Sequence, residues 1–132
     1  MSRGLGDVYK RQDLNRYKWS AERLNKLLKN KNSKQYLIYE EITNLLNIKR
    51  KNKAFHPNAL RKTMYLGPKL FAFKRISLDK KQTVMCISNL SSKTQNIKIQ
   101  LKNKKYKELI IGATVSKKII TLDPFQTIWL SN

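Results

Sequence analysis

Cysteine and histidine each occur once in the 132 residues, as Cys86 and His56, glycine four times and proline three times. A single cysteine excludes an internal disulfide and any multi-cysteine metal site, and fits a reducing compartment. The four glycines form neither GxGxxG nor GxxxxGK, so there is no phosphate-cradling loop and no cofactor is expected. Acidic residues number only eight and are scattered. Glu40 and Glu41 are adjacent, hence about 100° apart on a helix, which suits two solvated side chains better than a shared catalytic pair. His56 precedes Pro57, which points to packing or hydrogen bonding in a connection, and Cys86 within TVMCISNL reads as a small buried strand residue. No run approaches the roughly 20 apolar residues that cross a bilayer, and the opening MSRGLGDVYKRQ lacks a secretory apolar stretch. A cytoplasmic protein without a membrane partner is the expectation.

Positive charge is abundant: 29 Lys and Arg against 8 Asp and Glu, a formal charge of +21. Two accounts compete. Such a charge is the electrostatic footprint of a polyanion binder; equally, Lys, Asn and Ile dominate the composition and share A/T-rich codons. Lysine outnumbers arginine 22 to 7, although arginine is the better residue for bidentate phosphate recognition. Trp19, Trp129 and the tyrosines form no RNA-binding aromatic motif, and there is no zinc knuckle or Arg-rich tract. Nucleic-acid binding therefore rests on net charge alone, and no nucleic-acid partner is expected.

Local patterns divide the chain. Ser20 is placed to cap a helix carrying Leu24, Leu27 and Leu28, and Ser33 to cap a longer one with an apolar stripe of Leu37, Ile38, Ile42, Leu45, Leu46 and Ile48. Lys49, Arg50, Lys51 and Lys53 crowd the end of the second helix, where the helix dipole favours cations; Pro57 is expected to stop it and to bias His56 toward extended backbone. Beyond Ala59 come seven short β-rich segments: RKTMYL, LFAFKR, TVMCISNL, NIKIQL, YKELII, KKIITL and FQTIWL, separated by turn signals. Ile97, Ile99 and Leu101 alternate with Lys98, Gln100 and Lys102, so one face of that strand is apolar. The expected fold class is α+β, two N-terminal helices followed by an antiparallel β-sandwich.

The first residues differ from the rest. SRGLGDVYKRQ resembles translated sequencing-adapter DNA, so residues 1–12 are expected to be non-native and the authentic protein to begin upstream of Asp13.

From Asp13 onward DLNRYKWSAERLNKLL, NLLNIKRKNKAFHPNA, LGPKLFAFKR, CISNLS and LDPFQTIWL follow one another in the order and spacing of the C-terminal end of sucrose-phosphorylase-like enzymes. The chain thus resembles glycoside hydrolase family 13, the α-amylase family. The resemblance implies that residues 13–56 are the final loop and helices of a truncated (β/α)8 catalytic barrel and that residues 57–132 are the C-terminal β-domain, with AFHPNA as the hinge. It further implies glucosyl transfer from a donor sugar to phosphate through a covalent intermediate, using an Asp nucleophile, a Glu acid/base and a stabilising Asp. Those three carboxylates belong upstream of Asp13, so this chain supplies no catalytic residue. In this light LNR is similar to the INR of these phosphorylases, whose Arg hydrogen-bonds the glucosyl unit; Arg16 is the implied substrate contact and Asn15 a weaker candidate supporting the loop. Family members carry a Gly-Arg pair just before this loop, where YKRQ stands here, as expected if adapter sequence replaces native residues. Two alternatives stay open: a small basic protein that binds nucleic acid electrostatically, and a fragment of a hydrolytic α-amylase relative.

Overall fold

The computed structural model describes residues 18–99, 105–116 and 119–132. The chain divides into two compact units, Met1–Ile42 and Thr43–Asn132, and the division falls inside a helix.

Helix α1 spans Ala21–Lys29 and is capped as its sequence dictates: the Ser20 Oγ accepts the Arg23 N–H at 3.2 Å. Helix α2 spans Lys34–Lys51. Ser33 serves both helices at once, its hydroxyl accepting the Tyr36 N–H at 3.0 Å and donating to the Leu27 carbonyl at 2.6 Å. Neither helix buries a residue. On α2, Leu37, Ile38, Ile42 and Leu46 are between 48% and 60% exposed, so the apolar stripe is present and about half of it faces solvent.

Helix α2 ends before the expected stop. Lys51 is its last residue, and Asn52 donates its side-chain amide to the Ile48 carbonyl at 2.7 Å. A 3-10 turn, Lys53–Phe55, then fits between the helix and Pro57. The Ala54 N–H is diverted to the Gln82 Oε1 at 3.0 Å, so a tertiary bond rather than the proline ends the helical pattern. His56 has the extended backbone expected of a residue before proline, with φ −54° and ψ 139°.

The unit Thr43–Asn132 contains eight strands among the described residues: β1 Leu60–Met64, β2 Leu70–Ile76, β3 Thr83–Asn89, β4 Gln95–Lys98, β5 Tyr106–Glu108, β6 Thr114–Val115, β7 Ile119–Leu122 and β8 Thr127–Ser131. All pairings are antiparallel. Six strands form one sheet in the order β1-β2-β3-β8-β5-β6, and β4 pairs with β7 in a second. Strand β5 is shorter than YKELII suggested, because Gly112, at φ +76°, helps turn the chain back and the Glu108 N–H closes on the Ala113 carbonyl at 2.7 Å. That turn creates β6, which has too few residues to show a pattern.

Two apolar clusters lie on opposite faces of the large sheet. On one face Ala72, Met85, Ile87, Ile128 and Leu130 pack against Ile97, Ile99 and Leu122, which joins the two sheets into a sandwich. Ile97 and Ile99 are buried while Lys98 is exposed, as the alternation predicts; Gln100, Leu101 and Lys102 lie outside the described residues. On the other face Ala54 and Phe55 of the 3-10 turn cover Val84 and Cys86, with Phe73, Leu109 and Trp129 half-buried around them. Strand β3 therefore buries four successive residues, Val84 to Ile87. Ile87 is fully buried, so Ile87→Ala is expected to destabilise the chain by about 2 to 5 kcal/mol in denaturant unfolding, against less than about 0.5 for Ile111→Ala at an exposed turn.

Candidate functional site

The implied substrate contacts, Arg16 and Asn15, lie outside the described residues. The remaining candidates fall at separate places. Glu40 and Glu41 are exposed on α2, and Glu40 accepts the Tyr36 hydroxyl at 3.1 Å, a bond that raises the Tyr36 phenol above its ordinary value. An i to i+4 contact of this kind supports the helix and offers no facing acid. The Arg23 guanidinium lies over the Trp19 ring, 5.8 Å from its centroid. Cys86 is buried beneath the 3-10 turn, and burial pushes its thiol up to about 11. A thiol held neutral in this way is a packing group rather than a nucleophile. Among the described residues no three His, Cys, Asp or Glu side chains come together as a metal site, and no helix is long and apolar enough to cross a membrane.

What the chain does assemble is a clamped hinge between α2 and the sandwich. Arg75 on β2 donates its Nε to the Ala54 carbonyl at 2.9 Å and its Nη2 to the His56 carbonyl at 2.6 Å. Gln82 receives the Ala54 N–H and passes its own amide to the Asn52 Oδ1 at 2.6 Å and the Ser131 hydroxyl at 3.2 Å. The clamp thus seizes both polar groups of a buried alanine backbone, groups that would otherwise be costly to desolvate. His56 contributes its ring to the same hinge, the Nδ1 accepting the Asn58 N–H at 3.2 Å. Hydrogen bonds from the Ser77 hydroxyl, the Lys81 backbone N–H and the Lys53 ammonium hold the Asp79 carboxyl well below the usual carboxylate range.

Two further polar residues fix the loops. Buried Asn89 donates to the Lys93 and Asp123 carbonyls, each at 2.8 Å, and accepts the Ser91 N–H at 3.0 Å. Buried Glu108 accepts the Trp129 N–H at 2.9 Å and the Ile111 N–H at 2.6 Å. Trp129 also packs its ring 4.9 Å from Phe55, which leaves it unsuited to stacking on a ligand. Sequence reasoning missed Arg75, Gln82, Asn89 and Glu108. A faint signal existed for Glu108, an acid placed inside an otherwise lysine-rich strand segment.

No protein-family model matches the chain, and no curated protein matches it significantly. Solved structures do. AmyP in complex with maltose superposes with a TM-score of 0.67 at 13% identity over 76% of this chain and 21% of its own. An α-amylase from Anoxybacillus gives 0.62 at 22% over 77% of this chain and 23% of its own. The trehalose-6-phosphate hydrolase of Bacillus licheniformis gives 0.56 at 18% over 81% of this chain and 20% of its own. These neighbours are α-amylase-family enzymes, and the likeness is one of fold, that of the C-terminal β-domain in the amylase architecture. The chain spans about a fifth of the length of each.

The burial of Cys86 has a direct readout. Native protein at pH 8 is expected to react with an aromatic disulfide reagent at least about 100-fold more slowly than the same protein in guanidinium. Equal rates in the two states would mean that the 3-10 turn does not cover β3.

Proposed function

We propose that this chain is the C-terminal part of a retaining glycoside phosphorylase of the α-amylase family, acting in carbohydrate metabolism in the cytoplasm. Residues 1–12 are non-native, residues 13–56 complete a catalytic barrel, and residues 57–132 are the β-domain that follows it. The carrying observation is the fold likeness to α-amylase-family enzymes, which covers three-quarters or more of this chain yet only a fifth of theirs. The exposed apolar stripe of α2 supports the same reading, since a helix finishing a barrel needs such a face for its neighbours.

In this reading the donor sugar and phosphate are the partners of the intact parent, and neither nucleic acid nor a membrane is involved. The chain carries none of the catalytic carboxylates. Its own contribution to chemistry is Arg16, whose planar donors hydrogen-bond the glucosyl unit at the donor subsite, with Asn15 supporting that loop. A hydrolytic parent is the second reading, favoured by the names of the neighbours, an α-amylase and a trehalose-6-phosphate hydrolase.

Both readings meet their test in the source DNA and the enzyme it encodes. Upstream of the codon for Asp13 the frame is expected to run on for several hundred codons; an in-frame stop directly before Met1 would sink the proposal. The parent is expected to release glucose 1-phosphate from its donor, whether sucrose, sucrose 6'-phosphate or glucosylglycerate, only when phosphate is present, and Arg16→Ala to lower kcat/KM by about 10- to 100-fold. Phosphate-independent release of glucose would make the parent a hydrolase.

A further inference from the structure

Among the described residues β1 has β2 as its one sheet neighbour, so its other side is an open edge. The opposite edge of the same sheet, β6, is two residues long, whereas β1 has five. An edge of that length offers a row of unpaired N–H and C=O groups to any extended chain, and at high concentration the same strand of a second copy is such a chain. Apolar side chains would favour the contact: Leu60 on the strand is 51% exposed and Tyr65, just past it, 84%.

The strand nonetheless carries cations where they are costly. Arg61 lies directly across from Arg75, and Lys62 directly across from Lys74. Like charges at facing positions, with Cα atoms about 5 Å apart, destabilise a sheet. Arg75 is partly answered by the Ala54 and His56 carbonyls. The two lysines are not, since no carboxylate pairs with Lys62 or Lys74 among the described residues. Residues 43–132 contain three carboxylates against 19 Lys and Arg. Of these, Asp79 holds Lys53 and Ser77, Glu108 is buried on the Trp129 and Ile111 N–H groups, and Asp123 lies in the β7–β8 turn.

Lys62 is the middle residue of Leu60–Met64. Two copies that overlap fully along this strand in antiparallel register therefore pair about Lys62, which then faces Lys62 of the second copy. Directly paired residues project to the same face of a sheet. Lys74 and Lys62 of one copy and Lys62 and Lys74 of the other would then form one unbroken cross-strand row of ammonium groups on one face. We infer that Lys62, backed by Lys74, closes the β1 edge to a second copy of this chain. The stability lost to the like-charge pair keeps a long edge unpaired, while the other edge of the sheet is protected by its shortness. The inference does not depend on the family reading.

Residue-resolved hydrogen exchange of the 132-residue chain over a range of protein concentrations tests this. In the wild type at low salt, the β1 amides that point away from β2 are expected to exchange freely at every concentration. In Lys62→Thr they are expected to gain about 10-fold or more protection as concentration rises, with Tm higher by about 2 °C or more. The control Lys107→Thr removes an exposed cation from β5, which lies between β8 and β6, and is expected to show neither change. Salt makes the same test without a substitution. Near about 1 M, where the screening length is about 3 Å, the outward β1 amides of the wild type are expected to gain protection with concentration. Outward amides that stay open both in Lys62→Thr and in the wild type at high salt, or that close equally in Lys107→Thr, would overturn the inference.

Discussion

Strand β3 has no solvent face. Met85 and Ile87 point into the sandwich and Val84 and Cys86 point to the opposite side, so the sheet at its centre must be covered twice. The pair β4 and β7 supplies one cover. The other comes from Ala54 and Phe55, in the 3-10 turn that leads out of α2. Burying apolar area is worth about 25 cal/mol per Å², so an uncovered Val84–Cys86 face would forfeit much of what holds the sheet together. The hinge is therefore part of the apolar core of the unit Thr43–Asn132 rather than a passive linker.

Polar groups make that cover possible. A 3-10 turn pressed onto a sheet buries backbone amides that have no ladder to join, and Arg75 on β2 and Gln82, just before β3, answer them. Hydrogen bonds from charged donors contribute about 1.5 to 3 kcal/mol each in shielded settings, which is enough to decide where the segment lies. Asn89 does comparable work at the other end of the sandwich, tying the loop after β3 to the turn before β8. In each case one buried or half-buried polar side chain satisfies two or more main-chain groups from different parts of the chain.

That division explains what the sequence made legible. Caps at Ser20 and Ser33 were readable because they act within four residues, and the Ile97/Ile99 alternation because pleating imposes a period of two. The α+β class followed from those local rules. The end of α2 was not readable, since the bond that diverts the Ala54 N–H comes from Gln82, far along the chain. The same holds for Arg75 and Glu108, which composition presents as one more cation and one stray acid. As for the functional residues, the motif comparison proposed Arg16 and Asn15 through a resemblance, while the described residues explain why the other candidates are structural: Cys86 is covered, Trp129 is packed, and Glu40 braces a helix.

Among the described residues, the stripe along α2 stays half-exposed. Its existence follows from the same apolar periodicity that makes the helix, and the proposal of a larger parent is an account of what covers it. Hydrogen exchange measures that cover directly. Amides of residues 34–51 are predicted to exchange orders of magnitude faster in the 132-residue chain than in the full-length parent, while those of β3 stay protected in both. Equal protection of α2 in the two proteins would contradict the account, because it would show a helix that is stable without the neighbour its sequence implies.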